Sequence, residues 1–188
     1  MNGVIKALME RRSIRKYKSE PIDEKELEAI ITCGLYAPSA RNTQSWHITA
    51  ITDPDKIEDL NQAVKIAVTK EGFDQYRELV SQGGYSINFK TAPVFIIVSV
   101  DTKTSLSPQE DGALALSNIM LAAHSMALGS CWINQLKFIS EENGFRQKLS
   151  DLGVPSGYKV IGCVALGHPA VDNPKAPARK AGLFNIVR

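Results

Sequence analysis

Two continuous apolar runs constrain the fold of this chain more than any other feature. Pro93 to Val100 and Tyr158 to Leu166 are rich in Val and Ile and show little alternation of polar and apolar residues. Strands that face water on one side alternate, whereas strands buried on both faces read as unbroken apolar runs. We therefore predict that the two segments are central strands, buried on both faces.

Apolar residues at helical spacing predict the elements around these strands. A first helix ends near Arg11, and a second begins at Asp23 and stops before Pro38. Trp46 to Thr52 is predicted as a further strand, followed by a third helix. The apolar positions that mark the three helices are Val4, Ile5, Leu8 and Met9; Leu27, Ile30, Ile31 and Leu35; and Ile57, Leu60, Val64 and Val68.

The order of these elements lacks the regular strand-helix alternation of a doubly wound nucleotide-binding fold. No GxGxxG follows a strand, and no GxxxxGK[ST] occurs in the chain. We therefore predict an α+β sandwich in which a short sheet is flanked by helices. No Pro-rich or Gly-rich linker divides the 188 residues, so one domain, 1–188, is the simplest organisation.

The longest stretch without Asp, Glu, Lys or Arg runs from Gly112 to Leu136. Its scattered polar side chains and the helix terminator Gly129 favour a buried helix and a turn over a membrane span. We predict a long central helix over Ser107 to Leu128, opened by a capping box of Ser107 and Glu110. An apolar surface on this helix, too extensive for one small domain to cover easily, comprises Ala113, Leu116, Met120 and Ala123.

Charge and cysteine usage exclude several classes of protein. A net charge of +2 is too small for the concentrated basic face that nucleic-acid or membrane partners need. The cysteines, Cys33, Cys131 and Cys163, are odd in number and widely spaced, so neither a disulfide framework nor a metal site is predicted. Met1 to Arg12 lacks a signal-peptide core, and we expect a cytoplasmic protein.

Two motifs in the first quarter of the chain carry chemistry. Arg11-Arg12-Ser13-Ile14-Arg15 lies one helix upstream of Pro38-Ser39-Ala40-Arg41-Asn42-Thr43-Gln44-Ser45-Trp46. Phosphate recognition needs cations with hydroxyl or backbone donors, which the first motif offers. A flat ring system needs an apolar slot with amide donors and acceptors along its polar edge, which the second motif offers.

Both motifs resemble signatures of the nitroreductase family of FMN-dependent oxidoreductases. The first signature is arginine, any residue, serine, any residue, Arg or Lys, any residue and an aromatic, and here it runs from Arg11 to Tyr17. The second is Pro-Ser-x-x-Asn-x-Gln-Pro-Trp, with Ser45 where the family usually has proline. The likeness continues through Leu128 to Asn134, Tyr158 to Gly167 and Pro177 to Lys180. It implies an α/β/α sandwich with a mostly antiparallel central sheet, dimeric through the long central helix.

The resemblance also implies the cofactor and the reaction. FMN would take electrons from NADH or NADPH and pass them through N5 to a flat electrophile, a nitroaromatic or a quinone, in two half-reactions. The flavin carries the chemistry, so no catalytic side chain is predicted. Two alternatives stay open: a specialised flavin dehydrogenase or dehalogenase of the same family, and a non-enzymatic FMN carrier or redox sensor. The sequence between Asp55 and Phe89, where substrate-covering elements would lie, has no recognisable motif.

The first motif would supply the phosphate site. By the resemblance, Arg11 and Ser13 bind the FMN phosphate with Arg12 beside them. Arg15 reaches the N1/C2 edge, where a cation stabilises the charge that reduction places on the ring. The basic pair that closes the phosphate site is Arg179 and Lys180, with Lys175 as the alternative.

The second motif would supply the ring slot. Pro38, Ser39 and Ala40 would lie against the ring. In this family, that ring belongs to an FMN bound mainly by the other subunit. Asn42 and Gln44 would bond its pyrimidine edge or the ribityl chain.

The segment Gly129 to Asn134 corresponds to the family's loop under the flavin, in which a backbone N–H faces N5. We place that amide near Asn134, because a donor to N5 orients the ring for hydride transfer. No adjacent basic residue marks Cys131 as a thiolate, and we expect a small buried hydrophobe there. The cofactor-binding residues predicted in this segment are Cys131, Trp132, Ile133 and Asn134.

Overall fold

The structure is a computed structural model that describes residues 2–68, 89, 91–142 and 144–188. Much of the motif-free stretch between Asp55 and Phe89 lies outside these residues. The described helices are α1 (Gly3–Glu10), α2 (Glu24–Leu35), α3 (Pro54–Val68), α4 (Pro108–Ser125), α5 (Gln135–Ile139) and α6 (Phe145–Asp151). The described strands are β1 (Trp46–Ile51), β2 (Val94–Asp101), β3 (Gly129–Ile133) and β4 (Tyr158–Gly167), and a 3-10 turn (Ala40–Asn42) precedes β1.

The four described strands form one antiparallel sheet in the order β1-β2-β4-β3. Trp46 at the start of β1 lies opposite Val100, and Gly129 at the start of β3 lies opposite Gly167. The predicted central strands are the inner strands β2 and β4, while β1 and β3 are the edges. The prediction of a mostly antiparallel central sheet is therefore confirmed.

Helices cover both faces of the sheet, as the two apolar runs predict. In β2, Phe95 and Ile97 belong to one core and Ile96 and Val98 to the other, and all four side chains are fully buried. The first core is completed by α3, α5 and α6, and the second by α2 and α4. The three layers are the predicted α/β/α sandwich.

The first two helices begin and end where their sequence patterns predict. The side chain of Asp23 accepts hydrogen bonds from the backbone N–H groups of Lys25 (2.9 Å) and Glu26 (3.4 Å), which fixes the start of α2. The helix α1 stops at Glu10, directly before the basic motif, and none of its residues is buried. Its large apolar side chains are about half exposed or more: Val4 62%, Ile5 46%, Leu8 60% and Met9 60%.

The N-terminus of α4 differs from its prediction. Pro108 occupies the first turn, but the Ser107 hydroxyl makes no capping hydrogen bond. The Ser107 backbone N–H instead donates to the hydroxyl of Ser105 (3.1 Å). The predicted capping box of Ser107 and Glu110 is wrong, because Ser105 holds the cap residue in a different backbone conformation.

The C-terminus of α4 also lies earlier than predicted. The helix ends at Ser125, and Ala127 takes a left-handed conformation (φ 59°) while the Leu128 N–H donates to the Ala123 carbonyl (2.9 Å). These bonds form a Schellman end without glycine. Gly129 does not terminate the helix but begins β3, where a Cβ would lie 2.8 Å from Cγ2 of Ile14.

The apolar surface predicted on α4 is mostly covered within its own chain. Leu116, Met120 and Ala123 are buried against the sheet and α2. Large apolar side chains are exposed on α1 instead, as they are at the end of α2 and in the C-terminal tail. None of the helices among the described residues is long and apolar enough to cross a membrane.

Candidate functional site

The basic motif lies along the outer side of β3. Ser13 forms a parallel bridge with Ser130, and the Ile14 N–H donates to the Ser130 carbonyl (2.9 Å). Further along, the Lys18 N–H donates to the carbonyl of His168, just after β4 (2.9 Å). Residues 11–18 are therefore held in extended form beside the end of the sheet.

Two buried side chains anchor this segment. Ile14 is 5% exposed, and it packs against Gly129, where no side chain would fit. The Tyr17 hydroxyl lies within hydrogen-bonding distance of the carbonyl oxygens of Ile14 and Ala165, and burial raises the pKa of Tyr17. With Ile14 and Tyr17 fixed inward, the polar residues between and before them are held at one place on the surface.

The guanidinium groups of Arg11 and Arg12 are only partly satisfied. Nη1 of Arg11 and Nε of Arg12 are buried and have no hydrogen-bond partner among the described residues. The other nitrogens of Arg12 donate to the backbone carbonyls of Arg11 and Met9. Buried donors in native proteins are normally paired, so these two nitrogens are suited to an acceptor from a ligand.

The pKa of the Cys131 thiol depends on side chains of the first motif, which therefore lie close to β3. Burial raises the pKa of Cys131, while the charge of Arg15, a hydrogen bond from Ser13 and the charge of Arg11 oppose that rise. The first motif and β3, separated by more than a hundred residues, therefore meet around one point. With its pKa raised, Cys131 is a protonated, buried thiol rather than a nucleophile, as we expected.

His124 borders the same cluster from the end of α4. Burial lowers the pKa of His124, Glu10 opposes this, and Arg11 and Arg12 reinforce it. A neutral His124 keeps further positive charge away from the two arginines. Sequence reasoning assigned His124 no role, because the charged residues that shift its pKa are Glu10, Arg11 and Arg12, far from it in the sequence.

The segment predicted as a loop under the flavin is the edge strand β3. Cys131, Trp132 and Ile133 pair with β4, and Asn134 directly follows the strand. The Trp132 indole N–H donates to the Asn134 side-chain oxygen (3.2 Å). The loop prediction is wrong because this pairing is to residues far away in sequence. Beyond the bridge between Ser13 and Ser130, the outer side of β3 has no further strand partner among the described residues, so its backbone groups there are open to a ligand.

The second motif forms a tight loop with unusual backbone angles. Arg41 (φ 52°), Asn42 (φ 54°) and Gln44 (φ 46°) are all left-handed, although none is glycine. The Gln44 backbone N–H donates to the Ser39 hydroxyl (3.0 Å), and its side-chain amide donates to Asn42 (3.0 Å). Pro38 is exposed and Ala40 is half-buried. The polar residues of the motif therefore bond to each other and fix the shape of the loop.

A buried carboxylate attaches this loop to α4. The Ala40 N–H donates to Oδ1 of Asp111 (2.9 Å), and the Ser105 hydroxyl donates to Oδ2 (2.7 Å). Asp111 is 2% exposed. Sequence reasoning missed Asp111, since an acidic residue in the first turn of a helix ordinarily interacts only with the helix dipole.

The two motifs lie at opposite corners of the sheet within one chain. The first motif lines β3, and the second directly precedes Trp46 at the start of β1, the other edge. Three strand spacings of about 4.8 Å separate the edges. The corners are also at opposite ends of the strands, because Trp46 lies level with Val100 and Ser130 with Leu166. One chain therefore does not bring the two motifs together.

The C-terminal basic residues are exposed and stand apart from the first motif. Arg179 donates to the Pro177 carbonyl (3.4 Å), and no bond joins Arg179, Lys180 or Lys175 to the first motif in the part of the chain that the structure describes. The start of this tail is fixed nearby, since the Asn173 side chain donates to the carbonyl of Glu10 (2.9 Å).

Comparison with known proteins agrees with this geometry. The profile of the nitroreductase family matches residues 8–168. A crystal structure of a nitroreductase with bound FMN from Bacteroides fragilis is 38% identical, has a TM-score of 0.89, and matches over 100% of both chains.

Two sequence relatives have names that describe flavin chemistry. An NADPH-flavin oxidoreductase of Vibrio harveyi is 31% identical over 95% of this chain and 70% of its own length. An FMN reductase [NAD(P)H] of Bacillus subtilis is 29% identical over 94% of this chain and 70% of its own length. The match covers both motifs, β3 and β4, and the chain belongs to the nitroreductase family.

Proposed function

We propose that this chain is an FMN-dependent NAD(P)H oxidoreductase, with residues 1–188 as one FMN-binding domain. The observation that carries the proposal is a pair of buried nitrogens on Arg11 and Arg12, beside Ser13, that have no hydrogen-bond partner in the described part of the chain. Such donors suit a phosphate, which accepts several charge-assisted hydrogen bonds at once. FMN-bound and flavin-reducing relatives support the same cofactor.

The first motif binds the phosphate end of FMN. Arg11 and Arg12 supply the guanidinium donors, and Ser13 supplies a hydroxyl held in place by its bridge to Ser130. Arg15 is exposed and lies near Cys131, so it faces the region over β3. A cation there stabilises negative charge at the N1/C2 edge of the ring and favours its reduction. Arg179 and Lys180, which are exposed in the tail, would have to move to the first motif to close the phosphate site.

The edge strand provides the floor of the ring site. The residues of β3 that would border the ring are Cys131, Trp132 and Ile133, through their backbone groups, because their side chains alternate between the two faces of the sheet. An N–H near Asn134 would orient N5. FMN, when bound, supplies the redox chemistry by accepting a hydride from a nicotinamide and passing electrons on. No side chain needs to act as nucleophile or base, in agreement with the protonated thiol of Cys131.

The ring slot is completed by a second copy of the chain. Pro38, Ser39 and Ala40 of that copy contact the ring, and its Asn42 and Gln44 bond the pyrimidine edge or the ribityl chain. The positions of the motifs at opposite corners of one sheet support this arrangement.

The apolar face of α1 provides a reason for two chains to associate. A helix of 8 residues is marginal alone, and α1 exposes Val4, Leu8 and Met9 without burying any residue in its own chain. A second copy that covers this face would stabilise the helix that leads directly into Arg11.

The acceptor is a flat electrophile, a nitroaromatic or a quinone. The acceptor would take the place that the oxidised nicotinamide leaves, so the two half-reactions would use one site. Successive use of one site by the electron donor and the acceptor would give ping-pong kinetics.

The experiment begins with the absorption spectrum of the purified protein and the mass of the extracted cofactor. Anaerobic mixing with NADH or NADPH then follows the flavin absorbance by stopped flow. Bound FMN that bleaches rapidly supports the oxidoreductase. FAD or no flavin contradicts the cofactor, and FMN that neither nucleotide reduces favours a carrier or sensor.

A further inference from the structure

The loop of the second motif keeps side chains where its backbone favours glycine. Arg41, Asn42 and Gln44 all have positive φ, a conformation that costs energy for residues with a Cβ. Strained backbone of this kind persists only where its surroundings impose it, and it concentrates at functional sites.

Hydrogen bonds at both ends of the loop impose this strained backbone. Asp111 holds the Ala40 N–H, and the Ser39 hydroxyl holds the Gln44 N–H, so both ends of the turn are fixed. Asn42 and Gln44 bond each other through their side chains. Two of the three left-handed residues therefore contribute to the structure of the loop itself.

Arg41 does not contribute in this way. Its side chain is exposed, and within the described residues it makes no hydrogen bond and no ion pair; the ion pairs there join Arg146 to Glu141 and Lys148 to Asp59. Glycine would adopt the φ of Arg41 without strain. What Arg41 adds is a guanidinium that has no partner among the described residues, on a loop held by hydrogen bonds at both ends and between the residues proposed to border the ring.

We propose that Arg41 binds an anionic group on the reactant that lies over the flavin, so that the site prefers anionic substrates. The inference rests on the proposed function, which puts Ala40 and Asn42 at the ring. A guanidinium pairs with a carboxylate or phosphate through two parallel hydrogen bonds, and a neutral group offers no equivalent. The anion is either the 2′-phosphate of NADPH or a carboxylate on the aromatic acceptor.

Steady-state kinetics of the holoprotein with matched substrates test the preference. One arm compares NADPH with NADH at a fixed acceptor, and the other compares 4-nitrobenzoate with 4-nitrobenzamide at a fixed donor. Arg41→Gln should lower kcat/KM about tenfold for the charged member of at least one pair, while the neutral member stays within about twofold. Arg41→Lys should restore part of the preference. The arm that responds identifies the source of the anion.

The control variant is Arg146→Gln, which removes an exposed arginine on α6 that pairs with Glu141. It should leave both preferences unchanged. Added salt should weaken the wild-type preference, because an exposed cation is screened within about 10 Å at 0.1 M. Equal losses for charged and neutral substrates in Arg41→Gln, or no loss in either arm, would overturn the proposal.

Binding without turnover separates this proposal from the proposed function. Calorimetric titration of the purified protein with benzoate against benzamide, and with NADP⁺ against NAD⁺, measures the same preference directly. If the protein turns over but Arg41→Gln does not change its preference for anionic ligands, only the role of Arg41 is overturned. If the protein binds anions in preference to neutral analogues through Arg41 but does not turn over, the role of Arg41 stands and the proposed oxidoreductase activity is contradicted.

Discussion

The backbone N–H of Ala40 donates a 2.9 Å hydrogen bond to the buried carboxylate of Asp111. This one bond ties the loop of the second motif to the first turn of α4. The other carboxylate oxygen accepts from Ser105, so Asp111 is held from both sides. The shape of the proposed ring slot therefore depends on a residue outside both sequence motifs.

Removing this carboxylate should loosen the ring slot. Asp111→Ala leaves the Ala40 N–H without its partner, and we expect FMN affinity to fall by about 1–3 kcal/mol. Riboflavin, which lacks the phosphate, should lose affinity equally, because the defect is at the ring. Asp111→Asn keeps an acceptor for Ala40 and a donor for Ser105, so it should bind nearly as the wild type. Wild-type affinity in Asp111→Ala would remove Asp111 from this role.

Loss of Arg11 should have the complementary effect. Arg11→Ala should lower FMN affinity by about 1.5–3 kcal/mol, the usual scale for a hydrogen bond to a charged group. Riboflavin affinity should change little, and Arg146→Ala serves as the control. Fluorescence titration with the two flavins measures both effects. Equal losses for FMN and riboflavin would show that Arg11 does not contact the phosphate.

The contact between Ile14 and Gly129 should tolerate no side chain. A Cβ on Gly129 would lie 2.8 Å from Cγ2 of Ile14, so Gly129→Ala must displace the first motif from β3. We expect a loss of about 1–3 kcal/mol in the free energy of unfolding, together with weaker FMN binding. Gly3→Ala is the control for urea unfolding, because no atom of the described residues lies within 4 Å of the new Cβ. Identical midpoints for the two variants would contradict the close packing.

His124 should make stability depend on pH. Its pKa is lowered by burial, with Arg11 and Arg12 reinforcing the shift, so the unfolded chain binds this proton more readily than the folded protein. The stabilisation is complete above about pH 6.5 and is lost as the pH falls through the folded pKa. His124→Gln cannot take up the proton. Its Tm should fall less than the wild-type Tm between about pH 7.5 and about pH 5, and an equal or larger fall would contradict this account.

Local sequence patterns correctly predicted the two inner strands of the sheet and the first two helices. Burial on both faces produces an unbroken apolar run, which is why β2 and β4 could be recognised. The start of α2 depends on Asp23 and residues within one turn of it, so its signal is equally local. The basic motif ends α1 as predicted.

Features that depend on distant contacts could not be predicted. The strand β3 exists because it pairs with β4, and nothing within Gly129 to Ile133 specifies that partner. The prediction of a capping box was wrong because the backbone N–H of Ser107 donates to the hydroxyl of Ser105. Asp111 and Ala40 are 71 positions apart, so no sequence spacing could indicate their bond.

The central claim is that one chain binds the phosphate and its partner binds the ring. Two variants test it: Arg11→Ala, and a double variant with Asn42→Gly and Gln44→Gly, which removes the amides while suiting the positive φ. Each variant alone should retain little FMN. Unfolding and refolding an equal mixture produces dimers with one variant of each kind, and these contain one intact site and one doubly defective site.

The measurement is the FMN bound per chain after refolding. Because half of the dimers formed at random are mixed and half of their sites are intact, the mixture should recover roughly a quarter of the wild-type flavin content and NAD(P)H oxidation. No recovery above the two separate variants, when both refold and associate, would show that each site is complete within one chain.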